Sequence, residues 1–211
     1  PSRAVLPVML LASGLFAVIA TGVNRLEITR NSLSVSGGTG GFLIWAETAV
    51  PVKENLNSAE GRKRHGLIYP PAETMRFMQA KRLPGDDASC LNLNHVSSPP
   101  VLGIDNGFLS EHKAFSFESL IKGADPGDPW KLLDVTPARN TIYGFADQTV
   151  LQWGLKKSTG DTLVYVAENG EKLNIIIAGG LKSSLFQGYL LTGDSLFSEY
   201  FPSVPGSSVF L

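Results

Sequence analysis

The sequence predicts an α+β protein in which one N-terminal transmembrane helix leads into a domain of short strands and helices. Three observations predict this class. Residues 4–23 form an apolar run that contains no charged side chain. From residue 36 onward, short β-rich runs alternate with brief helical segments. The 22 glycines and 13 prolines indicate many turns, which is unlike a helical bundle.

The apolar run lies between Arg3 and Arg25. A helix that rises about 1.5 Å per residue needs about 20 apolar residues to cross a hydrocarbon core roughly 30 Å thick. Pro7 lies near one end of the run, where a helix tolerates proline. We therefore predict a transmembrane helix over residues 1–23 and a domain outside the membrane over residues 24–211.

Two other interpretations of this run stay open at the level of sequence. A secretory signal peptide would have Val18-Ile19-Ala20 as its small-residue cleavage site. A buried core helix is the other interpretation, although such a helix rarely continues this far without a polar face.

Composition limits the classes of partner. The chain has 211 residues, with 18 lysines and arginines against 19 aspartates and glutamates, for a net charge of −1. No global field attracts nucleic acid, so no nucleic-acid partner is predicted. The single cysteine excludes an internal disulfide and a cysteine-based metal cluster.

A glycine-rich stretch at residues 36–41 follows a polar stretch, residues 24–35, that is predicted to be a juxtamembrane connector. A phosphate loop would need glycine at Leu43 and a following Gly-Lys-Ser/Thr, and the chain has neither. A predicted strand follows instead of the helix N-terminus that phosphate binding uses. We therefore predict a flexible turn.

The remaining elements follow from apolar alternation, turn residues and caps. Predicted strands span residues 42–50, 74–83, 91–93, 101–105, 141–146, 162–167, 172–178, 189–191 and 207–211. Pro51 closes the first of these strands, and Gly179-Gly180 ends the strand at residues 172–178. Residues 207–211 are alternatively the approach to a second membrane span. Predicted helices span residues 55–65, 130–133, 149–153 (capped by Asp147) and 194–200 (capped by Asp194), and residues 108–122 are helical or mixed. Asn169-Gly170 is the turn of the clearest hairpin.

Two polar stretches are candidates for a functional site. The basic run Arg62 to His65 is predicted to be a solvated face. The second stretch contains Asp86, Asp87, Ser89, Cys90 and His95. Its alternation would place the cysteine and the histidine on opposite faces of a strand, so a turn that leads into a strand is predicted. Oxygen-ligand metal binding by the aspartates, and a hydrolase that uses the cysteine or the serine, are the alternatives. We predict no catalytic, cofactor-binding or metal-binding residue.

Several motifs carry a family resemblance: Gly40 to Pro51, Arg82 to Leu93, Ala146 to Leu155, Gly160-Asp161, Phe186-Gln187-Gly188 and Phe201-Pro202. On these residues, the chain resembles the extracytoplasmic domain of FtsX-like ABC transporter permeases, the group that includes MacB-type exporters. The resemblance covers nearly the whole chain. The chain departs from MacB in the Asp-Asp-Ala-Ser-Cys segment, so MacB's partners and substrates do not carry over.

The resemblance implies a mixed α/β, MacB-like periplasmic core domain at the bacterial cytoplasmic (inner) membrane. It implies a base at about residues 36–52 plus 140–211 and an inserted upper lobe at about residues 53–139. The implied domain is non-catalytic and has no cofactor. The implied partners are a cytoplasmic ATPase subunit, a second permease copy and a periplasmic or lipoprotein partner, and further spans follow. A secreted or tethered binding protein is the alternative function.

Overall fold

The computed structural model describes residues 2–32, 34–69, 74–86 and 98–211. These residues form a mixed α/β fold, with one sheet and one apolar N-terminal helix. This confirms the predicted class at the level of its architecture.

The N-terminal helix, α1, spans Ser2–Ser32. Its segment Val5–Gly22 is long and apolar enough to cross a membrane by length and composition, and none of that segment is buried. The helix continues as far as residue 32, so most of the predicted juxtamembrane connector is helical. No glycine or proline lies in residues 23–32 to end it. Those residues add roughly 15 Å of helix.

All nine described strands belong to one sheet. They are β1 Ala46–Val52, β2 Gln79–Leu83, β3 Val101–Ile104, β4 Phe117–Leu120, β5 Thr141–Asp147, β6 Thr162–Val166, β7 Lys172–Leu181, β8 Leu190–Gly193 and β9 Ser207–Phe210. Their order is β1-β9-β2-β3-β8-β5-β7-β4, and β6 also pairs with β7. The pairs β3–β8 and β5–β7 are parallel, and the others are antiparallel.

Short helical segments cover both faces of the sheet. They are α2 Ala59–Arg64, α3 Asn106–His112, α4 Asp194–Tyr200, a 3₁₀ helix Pro129–Asp134 and a π-helical turn Val150–Leu155. Successive strand side chains point to opposite faces. On β8, Leu190 accordingly joins the hydrophobic cluster that includes Phe197 of α4 and Leu151 of the π-helical turn. Leu191 joins the other cluster, with Leu109 of α3 and Trp130 of the 3₁₀ helix.

The hairpin predicted around Asn169-Gly170 is confirmed, but its second strand does not end at Gly179-Gly180. Strand β7 continues through both glycines to Leu181. A side chain at Gly179 would collide with the carbonyl of Ser119 on β4, and one at Gly180 would collide with the Gln148 side chain. The two glycines therefore permit the close approach of neighbouring chain and do not end the strand.

Three further boundaries differ from the sequence prediction. The strand predicted at residues 42–50 begins at Ala46 and includes Pro51, which an edge strand tolerates. The strand predicted from residue 74 begins at Gln79. Asp194 is the first residue of α4 and not its cap, because Gly193 occupies the cap position and the Asp194 carboxylate pairs with Lys81.

The predicted base and inserted lobe share the sheet. Strands β2, β3 and β4 lie within residues 53–139, and they pair respectively with β9, β8 and β7 from the predicted base. The sheet is therefore continuous across both predicted boundaries, and the division into base and lobe stays a prediction.

Phe145 on β5 is fully buried, and its ring lies 4.9 Å from that of Phe117 and 5.4 Å from that of Trp130 between ring centres. We expect Phe145→Ala to lower the free energy of unfolding by about 3–5 kcal/mol, because it leaves a cavity among these rings. The measurement is chemical denaturation of the full chain in detergent, followed by circular dichroism. Trp153→Ala is the control: Trp153 is 69% exposed, so its loss should change stability by less than about 0.5 kcal/mol. Equal losses in the two variants would contradict the packing described here.

Candidate functional site

The first candidate site is the connection between helix α1 and the sheet, which we call the helix–sheet junction. It consists of the turn at residues 34–41, the extended segment 42–45, Phe115, and the loop at residues 182–188. The junction contains the glycine cluster and the Phe-Gln-Gly loop that the sequence analysis singled out, and it lies immediately after the helix.

The glycine cluster forms the predicted turn. Gly37 donates its amide hydrogen to the Ser34 carbonyl at 2.9 Å, and Gly40 donates to the Gly37 carbonyl at 2.9 Å. Gly40 and Gly41 have φ angles of +63° and +83°, which glycine adopts without steric cost. Gly40 is also buried against the ring of Phe115, where a side chain would collide. The glycines are therefore needed both for the bend and for the close contact.

Two backbone hydrogen bonds join this turn to the rest of the domain. Phe115 donates its amide hydrogen to the Val35 carbonyl at 2.8 Å, and Leu185 donates to the Gly38 carbonyl at 2.8 Å. A side chain on Gly38 would collide with the carbonyl of Ser183. The turn thus contacts two loops of the domain that lie far apart in the chain.

Aromatic rings attach the segment 42–45. The ring centre of Phe42 lies 6.2 Å from that of Phe108 and 6.3 Å from that of Phe115. The ring centre of Trp45 lies 5.9 Å from that of Phe186 and 5.9 Å from that of Tyr189. Because aromatic pairs at these distances add to the stabilisation from burial, the segment is held firmly to the domain.

The aromatic contacts continue into the centre of the sheet. The ring centre of Phe115 lies 5.1 Å from that of Phe186 and 6.3 Å from that of Trp130. Trp130 in turn lies beside Phe145 of β5 and donates its indole N–H to the Ala114 carbonyl at 3.2 Å. A continuous set of packed rings therefore joins the end of the helix connection to β5.

Asp147 anchors the loop at residues 182–188. Its carboxylate is fully buried at the end of β5. It accepts hydrogen bonds from the backbone amides and the hydroxyls of both Thr149 and Ser184. Four donors satisfy a charge that would otherwise be costly to bury. The bond to the Thr149 amide confirms that Asp147 caps the following helical turn, and the bonds to Ser184 are a second role that the sequence analysis missed.

A polar groove of about 520 Å³ is the second candidate site. It lies at the carboxyl ends of the parallel strands β3 and β8, where open α/β sheets commonly bind ligands. Lys81, Asp105 and Asp194 contribute charges to its lining. The side-chain amide of Gln79, which lines the groove, already makes hydrogen bonds within the domain. It donates to the Glu54 carbonyl and accepts from the Leu56 amide. The groove walls are therefore held in place by the domain itself.

One contact at this groove resembles a nucleophile–base pair. Lys81 Nζ lies 2.6 Å from Ser198 Oγ and 3.0 Å from Asp194 Oδ1. The Ser198 hydroxyl donates to the Asp194 carbonyl at 2.7 Å. An active pair needs a free amine lone pair directed at the hydroxyl proton. Here the ammonium pairs with a carboxylate and the hydroxyl proton points to a carbonyl, so the contact fastens α4 to β2.

The predicted polar stretch is described only in part. Asp87, Ser89, Cys90 and His95 lie outside the described residues, and the hypotheses based on them stay untested. The Asp86 amide donates to the Ser98 carbonyl at 2.8 Å. Within the described residues, no group of three or more histidine, cysteine, aspartate and glutamate side chains could hold a metal ion.

The basic run lies on and just after α2 and is exposed except for the half-buried Arg62, as predicted for a solvated face. The Arg62 guanidinium donates to the Asn57 carbonyl at 2.9 Å. Arg64 pairs with Glu54 and Glu60. The His65 ring lies 3.0 Å from Glu54 and, through that hydrogen bond, holds the pKa of the Glu54 carboxyl below its ordinary value. These cations largely interact within the domain, which argues against a specific anion site.

No family model matches the chain, and no curated protein is similar to it in sequence. The resemblance to FtsX-like permeases therefore stays a prediction that the motifs of the sequence carry.

Gly40→Ala tests the junction. Alanine at φ +63° carries the steric cost of a left-handed backbone, about 1–2 kcal/mol, and its methyl group also collides with the buried Phe115 ring. We expect the Phe115 and Leu185 amides to exchange hydrogen at least tenfold faster, as measured by mass spectrometry. Gly66→Ala is the matched control, because Gly66 has φ +71° but no atom within 4 Å of the added methyl group. Faster exchange of these two amides in Gly66→Ala would show that the effect is not local to the junction.

Proposed function

We propose that this chain is the extracytoplasmic domain of the permease subunit of an ABC transporter of the FtsX/MacB-like type. It is non-catalytic and transmits ATPase-driven conformational change to substrate or partner proteins in the periplasm. The observation that carries the proposal is the uninterrupted helix α1. None of its apolar segment Val5–Gly22 is buried, and the helix continues to Ser32 immediately before the junction.

A continuous helix suits mechanical transmission. With Val5–Gly22 in the hydrocarbon layer, residues 23–32 extend roughly 15 Å beyond it as helix, without a flexible linker. The junction then joins the helix end to the sheet through two backbone hydrogen bonds and packed rings. A displacement of the helix therefore acts on the domain through these contacts.

The path of the last strand supports the same arrangement. Phe210 on β9 lies opposite Ala46, the first residue of β1. Leu211 and Met78 exchange two backbone hydrogen bonds of 3.0 Å. Residue 211 thus lies beside the start of β1, at the same end of these strands. A further membrane span after residue 211 would act on the sheet close to where helix α1 connects to it.

In this proposal, a separate cytoplasmic subunit or domain hydrolyses ATP. The glycine cluster lacks the Gly-Lys-Ser/Thr of a phosphate loop, and its glycines are used by the turn and by the contact with Phe115. The partners proposed are this ATPase, a second permease copy, and a periplasmic or lipoprotein partner.

A membrane-tethered binding protein is the second candidate function. The polar groove at the ends of β3 and β8 favours it, since a cleft with fixed polar walls suits a polar ligand. In that case α1 would serve only as an anchor, and its continuity with the junction would have no role. The two functions therefore differ in whether the helix must be rigid.

Membrane insertion is tested with the double substitution Leu11→Arg and Leu15→Arg. Both leucines are exposed within the apolar segment. Two arginines near the middle of a span cost about 5–7 kcal/mol on an insertion scale, so the carbonate-resistant membrane fraction should fall sharply. Leu43→Arg with Ile44→Arg is the control, because these residues are 82% and 67% exposed outside the helix. A wild-type chain in the soluble fraction, or one whose native N-terminus is Thr21, would refute a retained span.

Rigid transmission is tested with Glu27→Pro, which interrupts α1 beyond its apolar segment. The control, Glu27→Ala, keeps the helix. In the transporter reconstituted with its ATPase subunit, we expect ATP to change hydrogen exchange at residues 34–41 in wild type and in Glu27→Ala. Glu27→Pro should remain in the membrane and lose that change, because a proline costs about 3 kcal/mol in a helix interior and breaks it there. An unchanged ATP response in Glu27→Pro would contradict rigid transmission through α1, whereas the absence of any ATP response in wild type would favour the tethered binding protein.

A further inference from the structure

Non-glycine residues with a left-handed backbone draw attention to the junction. Within the described part of the chain, these residues are Lys113, Phe115, Asn140, Lys156 and Ser183. Lys113 and Lys156 directly follow helical segments, where this conformation is common. Asparagine adopts it more readily than most residues. Phe115 and Ser183, with φ angles of +67° and +48°, have neither explanation.

Both of these residues contact the same turn. The Phe115 amide donates to the Val35 carbonyl, and its ring packs on Gly40. The Ser183 carbonyl packs on Gly38, which in turn accepts from the Leu185 amide. An unfavourable backbone conformation is therefore present at each of the two places where the domain receives turn 34–41.

The strain is confined to these two residues because their neighbours are anchored. Ala114 precedes Phe115, is buried, and accepts a hydrogen bond from the indole of Trp130. Ser184 follows Ser183, is buried, and is held by Asp147. Relaxation of Phe115 and Ser183 therefore does not require the sheet behind them to move.

The turn itself is lightly packed. Gly40 is the one residue of 34–41 that is buried, and Val35 is 48% exposed. Opening of the turn therefore uncovers one face of the Phe115 ring and little other apolar surface, and segments with so few apolar contacts open at a free energy well below that of global unfolding.

We propose that turn 34–41 is a latch with two states. In the state described here, the turn is docked on Phe115 and Ser183. In the second state, the turn is released, and these two residues return to an ordinary backbone conformation while the sheet stays folded. Strain in the docked state narrows the free-energy difference between the states, so a modest displacement of α1 shifts the equilibrium. The purpose of the latch rests on the proposed transport function, but its existence does not.

The experiment measures hydrogen exchange of the full chain in lipid nanodiscs by mass spectrometry, without any ATPase. The reporters are the Phe115 and Leu185 amides, whose acceptors lie in the turn. The latch predicts that both amides have matching protection factors, lower than those of the amides of β5 and β7. Exchange of the reporters only together with those strands would overturn the proposal, because the turn would then open only with the whole domain.

Ser183→Gly separates strain from contact. The Ser183 side chain is exposed, and glycine keeps the backbone atoms that meet Gly38 while removing the left-handed cost. The greater freedom of glycine in the released state offsets part of this stabilisation of the docked state. We therefore expect Ser183→Gly to slow exchange at both reporters about two- to fivefold. Lys156→Gly is the matched control. It relieves a φ of +51° beside the π-helical turn on the other face of the sheet and should leave both reporters unchanged.

Gly38→Ala keeps the proposal falsifiable if Ser183→Gly does not fold. Its methyl group collides with the Ser183 carbonyl, so both reporters should exchange faster while β5 and β7 do not. Unchanged exchange at both reporters in a folded Ser183→Gly chain would refute the latch, and so would equal slowing in Lys156→Gly. Either result would leave the transport proposal standing. Loss of membrane retention in the wild-type chain would remove the transport proposal but not the latch, whose hydrogen exchange would then be measured on the chain in solution.

Discussion

Strands β5 and β7 pair in parallel, from Thr141 beside Asn174 to Asp147 beside Leu181, and the rest of the domain is arranged around this pair. Strand β7 also accepts β6 along its first half and β4 along its second half. Strand β5 also pairs with β8, and through β8 it is connected to β3, β2, β9 and β1. Because a parallel pair is buried on both faces, it requires helices above and below, and this is how the two hydrophobic clusters arise.

The same pair determines where the junction can form. Asp147 ends β5 and holds the loop that contacts the glycine turn, and Phe145 supplies the innermost ring of the aromatic contacts. The helix connection therefore contacts two loops that are themselves anchored to β5. Under the proposed function, a displacement of the helix would reach the sheet through these anchored loops. The left-handed residues at the points of contact limit how tightly the connection is held.

Much of the local structure could be predicted from the sequence. The apolar run, the hairpin around Asn169-Gly170, the strand at Thr141–Asp147 and the helical segment after Pro129 all follow from short-range patterns of apolar, turn and capping residues. The sequence indicated only part of the helix–sheet junction. Its glycine cluster and the loop at residues 186–188 were recognised, but Phe115 was assigned only to a mixed segment. Its importance depends on a backbone angle and on ring contacts with residues far away in the chain.

The sequence by itself determined the elements whose cause is local: a helix along a long apolar run, turns where glycine permits a positive φ, and strands where apolar residues alternate. Only the tertiary structure decided that the glycines at 179 and 180 lie inside a strand, that the predicted base and lobe share one sheet, and that the glycine turn is clamped by Phe115 and Ser183. The physical reason is that these features arise from close contacts between segments far apart in the chain. Such contacts depend on which strands pair, and a local pattern carries no information about that pairing.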